Sequence, residues 1–445
     1  MNYQEIIVGF FYSILFSILG MYLKRKMSTK TTDKYFMPGL VLKMLGGLSV
    51  GLVYYLYYKG GDTICYYTFG GQQIFKAFLV SPSIAFSLIF GDNVVTPENY
   101  IYVKQIWVFT DDASYFVVRI TALCNLFAFN TYSGTAIIFS FLSFICIWKL
   151  FSFLVNLYPD IHKEIAISFL FLPSLFFWGS GILKDTITFA FLCVFIRAAL
   201  VIYYYKKSFL KQICILLIAS LFIAKIKIYI LISIIPALAY LFLYVPIKAI
   251  KNPVLKMVIT PFAIALALFI GFLGMKKIGE SSSKYNLNNI SKTAEETARW
   301  IHFSSESSGG SSYSLGDYDF TTAGMLKKSI PAIWVTIFRP HPWEVRNPIM
   351  LLSSLEALFF IWLLYKGLFM KWSYTKRAMS STILITFCII FSLIFSWSVG
   401  LTTYNFGTLV RYKIPMMPFF ALSMYLLKRN KDILYAHDAE KKRVI

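Results

Sequence analysis

Long apolar runs alternate with short polar gaps along most of this chain. A helix needs roughly 20 apolar residues to cross the hydrocarbon of a bilayer. By that rule, spans are predicted over 4–23, 38–58, 133–155, 163–178, 183–204, 209–225, 227–246, 255–275, 346–368, 379–399 and 411–427. That makes about eleven crossings, several of them short. The pattern predicts an all-α fold, a polytopic transmembrane bundle forming a single integral membrane domain over 1–445. The run Tyr115–Phe129 is apolar but short. Whether it crosses decides the parity of everything after it.

Two gaps are long. The first, 59–132, opens with Lys59-Gly60-Gly61-Asp62 and closes with Thr110-Asp111-Asp112. Its apolar stretch Gln73–Phe90 is broken by Ser81-Pro82-Ser83, which predicts helices lying on the membrane rather than a span. The second gap, 276–345, is Ser/Gly-rich over Ser281–Ser283 and Ser304–Ser314 and reads as a loose polar loop. It then turns apolar over Met325–Phe338, with Lys327-Lys328, as expected of an interfacial helix. No internal repeat of fixed period stands out.

Composition agrees with the pattern. The chain has 445 residues, 58% of them hydrophobic, and a mean hydropathy of +0.65, too apolar for a soluble domain of this size. Its formal charge of +22 comes from 43 Lys+Arg against 21 Asp+Glu. The cations sit mainly in short loops between apolar runs, which favours a bilayer over nucleic acid as the partner. Basic clusters occur at Lys24-Arg25-Lys26, Lys206-Lys207, Lys248–Lys256, Lys371–Arg377 and in the tail 428–445. All fall on one side only if Tyr115–Phe129 does not cross, so that run is read as interfacial, with Arg119 near the headgroups. The N-terminus is then outside and the C-terminus cytoplasmic, in the inner membrane of a bacterium. The first run has no basic residues before it and no small-residue cleavage site, so it is read as a retained span. Six scattered cysteines and four scattered histidines indicate neither a disulfide framework nor a metal constellation.

On that orientation, several ionisable groups share the outer side, where the positive-inside rule predicts few cations. Asp62 follows two glycines and is suited to act as a general base or to hold a divalent ion; a plain turn explains it equally. Asp111 and Asp112 offer further carboxylates, one of them better read as a helix N-cap. Lys184 and Asp185 lie in a tight hairpin after Trp178, either as a phosphate-binding cation with support or as a pair snorkelling to the interface. Lys225 and Lys227 stand in a second hairpin. Arg339, Trp343, Glu344 and Arg346 form a proline-fixed motif, with forked donors suited to phosphate or with Glu344 paired to Arg346. Glu356 is an acid inside a span that needs a partner. Asn405 precedes Arg411 and Lys413, and Arg411 is the strongest single candidate for a donor phosphate.

The general plan resembles the GT-C superfamily of polytopic glycosyltransferases, through Asp62, the 73–90 segment and Arg411. More specifically, the runs 177–185 (FWGSGILKD), 339–344 (RPHPWE) and 411–415 (RYKIP) resemble Bacteroidetes-type membrane proteins assigned to glycosyl transfer or polysaccharide synthesis. The acidic loop follows the second span here, whereas GT-C enzymes usually place it after the first, and no C-terminal soluble domain is present. The resemblance implies inverting transfer of a sugar from a polyprenyl-phosphate donor to a surface glycan, lipid or protein at the outer face. Asp62 would be the base or place a metal, and Lys184, Lys225, Arg339, Arg346, Arg411 and Lys413 would bind phosphate. Rival readings are an O-antigen or exopolysaccharide polymerase, a flippase or transporter of a lipid-linked glycan, and a structural subunit. A transporter should carry charges near the midplane and repeat-related halves. Charges gathered at one face favour the enzyme.

Overall fold

A computed structural model describes residues 3–252, 311–316 and 321–444, with Leu255, Met257, Glu295, Glu296, Arg299 and Trp300. The predicted span 255–275 and most of the Ser/Gly-rich stretch lie outside the described residues. Among those described, the chain is helical, and seven helices are long and apolar enough to cross a membrane: Tyr3–Met27, Asp33–Tyr58, Tyr132–Leu157, Lys184–Tyr205, Phe209–Ala249, Pro348–Phe369 and Ile383–Thr402. The chain is an integral membrane protein by this measure. Its residues fall into two compact units, one of Met1–Ile202 with Lys207–Lys227, the other of Tyr203–Lys206 with Ile228–Ile445.

In the first unit, Asp33–Tyr58 and Tyr132–Leu157 run antiparallel. Phe36 packs its ring 4.6 Å from Trp148 at one end, and Gly51 lies against the Tyr132 ring at the other. Tyr3–Met27 runs alongside Tyr132–Leu157 in the same direction, with Phe16 packed 4.4 Å from Phe141. The start of the Tyr132–Leu157 helix is capped from outside its own sequence. The Glu5 carboxylate accepts from the backbone N–H groups of Tyr132 (2.8 Å) and Ser133 (2.9 Å), satisfying donors that a helix N-terminus always leaves over.

The first long loop folds into short helices, Asp62–Tyr66, Gln72–Val80 and Pro82–Phe90, that pack on Asp112–Phe127. Proline at the first helical position of Pro82–Phe90 sets the break at Ser81, as the sequence predicts. Gly70 and Gly71 let this loop approach Val118 and Thr121 closely; a Cβ on Gly70 would lie 2.7 Å from Val118. Asp112–Phe127 has 16 residues, about 24 Å of helix, short of the hydrocarbon thickness.

Four predicted spans differ in detail. The run 163–178 is not one helix: it splits into His162–Ala166, a wide-turn segment Ile167–Phe171, and Pro173–Phe177. Leu172 is extended because a residue before proline is pushed out of the helical region, and Pro173 has no N–H to continue the ladder. The runs 209–225 and 227–246 form two helices, as expected, that meet at non-helical Lys227 (φ −146°, ψ 74°) with no loop between them, inside the continuous range Phe209–Ala249. Arg411 ends a short helix, Phe406–Tyr412, and the last long helix, Met417–Val444, starts after it and carries straight into the basic tail.

In the second unit, Ser329–Phe338 packs tightly on Ile383–Thr402. A Cβ on Gly400 would lie 2.1 Å from the Ala332 carbonyl, and the Thr336 hydroxyl donates to the Ser396 carbonyl at 2.9 Å. Helix starts here carry their own polar caps: Thr321 accepts from the Gly324 amide, Asn347 from Met350 and Asn405 from Thr408.

Candidate functional site

The first unit gathers charges from four distant stretches. Gly61, at φ +104°, sits against the Tyr54 ring at a point where a Cβ would come within 2.6 Å, so glycine is required there. That turn places half-buried Asp62 at the start of its short helix. Asp111 occupies the N-cap position of Asp112–Phe127, but its carboxylate accepts from the Ser114 hydroxyl rather than from a backbone amide. The same oxygen lies 3.4 Å from Lys184 Nζ. The Asp62 carboxylate and the Lys227 ammonium also act on the Lys184 charge. Burial, with the charge of Asp62, pushes the nearby Cys65 thiol above its ordinary range, so it stays protonated and is no nucleophile at neutral pH.

Asp185 does not pair with Lys184. Its fully buried carboxylate accepts a 2.5 Å hydrogen bond from Lys227, whose side chain is 6% exposed. Neighbouring residues on a helix point in different directions, so Lys184 and Asp185 reach separate partners. Lys225, two residues before the kink, is exposed. Asp112 is exposed too and turns to Asn93, which donates to it at 2.9 Å and accepts from Arg119 at 2.8 Å. The structure thus brings together Asp62, Asp111, Lys184, Asp185 and Lys227, and sets Asp112 and Lys225 apart from them.

The second unit builds a different arrangement. Arg339 forks onto Glu344, with Nε 3.0 and 3.1 Å from the two carboxylate oxygens. Glu344 also accepts from the His341 amide at 2.7 Å, so it pairs with Arg339 and not with Arg346. Partial burial opposes ionisation of Glu344. The hydrogen bonds from Arg339 and His341, with the Arg339 charge, outweigh it and hold the carboxyl below its ordinary range. The Arg339 guanidinium also lies over the rings of Phe406 (5.1 Å) and Tyr313 (5.8 Å). Buried Lys413 donates to the Arg339 carbonyl at 3.4 Å and feels the charge of buried Glu356. Asn405 serves as a helix cap. Trp343 is 80% exposed beside His341, Arg346 is exposed, and Arg411 is half-buried in the last turn of its helix.

Chemically, the first unit offers carboxylates held beside an ammonium, suited to taking a proton from a hydroxyl. The second offers a braced loop that commits Arg339 and Glu344 to each other. Among the described residues no three His, Cys, Asp or Glu side chains converge to hold a metal ion. Lys43 and Glu5 are not among the residues predicted from sequence; the signal for each was a lone charge within an apolar run. Comparison with family models, with characterised proteins and with solved structures finds no match to this chain.

Proposed function

We propose that the chain is a membrane glycosyltransferase. It moves a sugar from a polyprenyl-phosphate donor to a glycan, lipid or protein acceptor at the outer face of a bacterial inner membrane. The observation that carries this reading is the convergence of Asp62, Asp111 and Lys184, delivered by three separate elements to one place in an apolar, membrane-embedded unit. In this reading the chain crosses about eleven times by the length rule, with its N-terminus outside.

Asp62 is the base. It takes the proton of the acceptor hydroxyl as that oxygen attacks the anomeric carbon, and the bond to the donor phosphate breaks with its electron pair leaving on phosphate. Lys184 holds Asp111 and balances negative charge beside the base. Exclusion of water strengthens each of these interactions. Arg339 and Lys413 are engaged in bracing their own loop in the second unit.

The test is the surface-glycan profile of a deletion strain complemented with wild type or with Asp62→Asn. The deletion should lack one sugar, and Asp62→Asn should lower the product by about 100-fold or more at normal protein level, the scale of a lost general base. Intact glycans in the deletion strain overturn the reading. Single repeat units in place of long chains identify a polymerase instead.

A further inference from the structure

The segment that delivers Lys184 runs through the protein interior without being a helix. After the break at Leu172 it forms only the short Pro173–Phe177 helix and then irregular backbone to Leu183, with Trp178, Ser180, Ile182 and Leu183 all buried. Its depth follows from Ser140, whose hydroxyl donates to the Ser180 carbonyl at 3.0 Å. Ser140 lies about 12 Å along the axis from the start of its helix, at the rise of an α-helix. Irregular backbone so far inside a membrane span needs partners from the protein, because lipid offers none.

Lys43 is such a partner. It sits in the middle of the Asp33–Tyr58 helix, 4% exposed, and its ammonium donates to the carbonyls of Leu175 (3.3 Å) and Gly179 (2.5 Å). A cation at the carbonyl end of a short helix is favourably placed. Beside the ammonium is a small cavity of about 10 Å³ lined by Gly39, Phe144, Phe169 and Leu175. Gly46 and Gly47 bring the two backbones into contact: a Cβ on Gly46 would fall 1.8 Å from the Phe176 carbonyl oxygen, and one on Gly47 3.1 Å from that of Ser180. Beyond Gly179 the chain is locked to the next helix. Leu183 N–H and the Thr186 hydroxyl both bond to the Gly181 carbonyl, at 2.9 and 2.7 Å. Lys184 follows at once.

We propose that Lys43 is a positioning residue: its buried ammonium pins the irregular 172–183 segment to the Asp33–Tyr58 helix and so sets Lys184 opposite Asp111. The inference rests on the reading of Lys184 as a site residue. Its test does not depend on the reaction catalysed. In purified full-length protein carrying Lys184→Cys, the rate of maleimide labelling at that thiol reports how the segment is held, measured against the same protein without the new cysteine. Lys43→Met removes both carbonyl bonds and should raise the rate about tenfold or more, tenfold being the factor for a single lost hydrogen bond from a charged donor, while Lys43→Arg should keep it near the original. An unchanged rate in Lys43→Met overturns the proposal, as does an equal rise in Lys43→Arg. If Lys43→Met does not accumulate, Lys43→Gln retains a donor without the charge and should label at an intermediate rate; no change there overturns the proposal equally. With Lys184 restored, Lys43→Met should also reduce the glycan product. Intact glycans in the deletion strain would remove the functional reading and leave the labelling result standing.

Discussion

At the scale of single residues, the buried Asp185–Lys227 pair makes the sharpest stability claim. Both side chains are out of water, so their attraction first has to offset a large desolvation cost, and removing one partner leaves an uncompensated charge. Lys227→Met or Asp185→Asn alone should destabilise the protein by about 3–5 kcal/mol, and the double variant should recover most of that loss. Thermal unfolding in detergent checks this. A single variant that melts like wild type would show that the pair does not hold the kinked helix to its neighbour. Lys184 is in a different position: 21% exposed and 3.4 Å from a half-exposed carboxylate, it contributes little stability and is available for chemistry.

Among the elements, the loop between Ser329–Phe338 and Pro348–Phe369 shows how charge is spent on shape. Arg339 and the His341 amide hold Glu344 ionised below its ordinary value of 4.5. A carboxyl with a depressed folded value adds stability that is fully present above the unfolded value and disappears as pH falls through the folded one. The melting temperature should therefore drop on acidification below about pH 4.5, the ordinary value for the group, and part of that drop should vanish in Glu344→Gln. An identical pH profile in Glu344→Gln would remove Glu344 from the account. The fork also explains why Arg339, so suited to phosphate by type, is a poor candidate for it here: binding a ligand would first break its Nε and Nη2 hydrogen bonds to Glu344.

For the whole molecule, the distribution of basic clusters makes a topology claim that no packing detail alters. Cysteines placed at exposed Lys30, Lys207 and Lys441 should be protected from a membrane-impermeant thiol reagent in intact cells, and cysteines at exposed Lys59 and Glu98 should be labelled. The reverse pattern would place the Asp62 cluster on the cytoplasmic side and end the outer-face reading.

What the sequence determined by itself was the class and the rough map. Backbone groups in lipid are satisfied within a helix, so run lengths alone mark Tyr3–Met27, Tyr132–Leu157, Pro348–Phe369 and Ile383–Thr402. Proline marks the break at Ser81-Pro82 just as locally. The pairings were decided only by the tertiary structure. Lys184 turns to Asp111 and Asp185 to Lys227, Glu344 chooses Arg339 over Arg346, and Lys43 seeks carbonyls of a broken helix. The physical reason is that an apolar helix records its length in its sequence but not which face meets which neighbour. A charged side chain takes whatever partner that meeting brings within about 3 Å, the reach of a hydrogen bond.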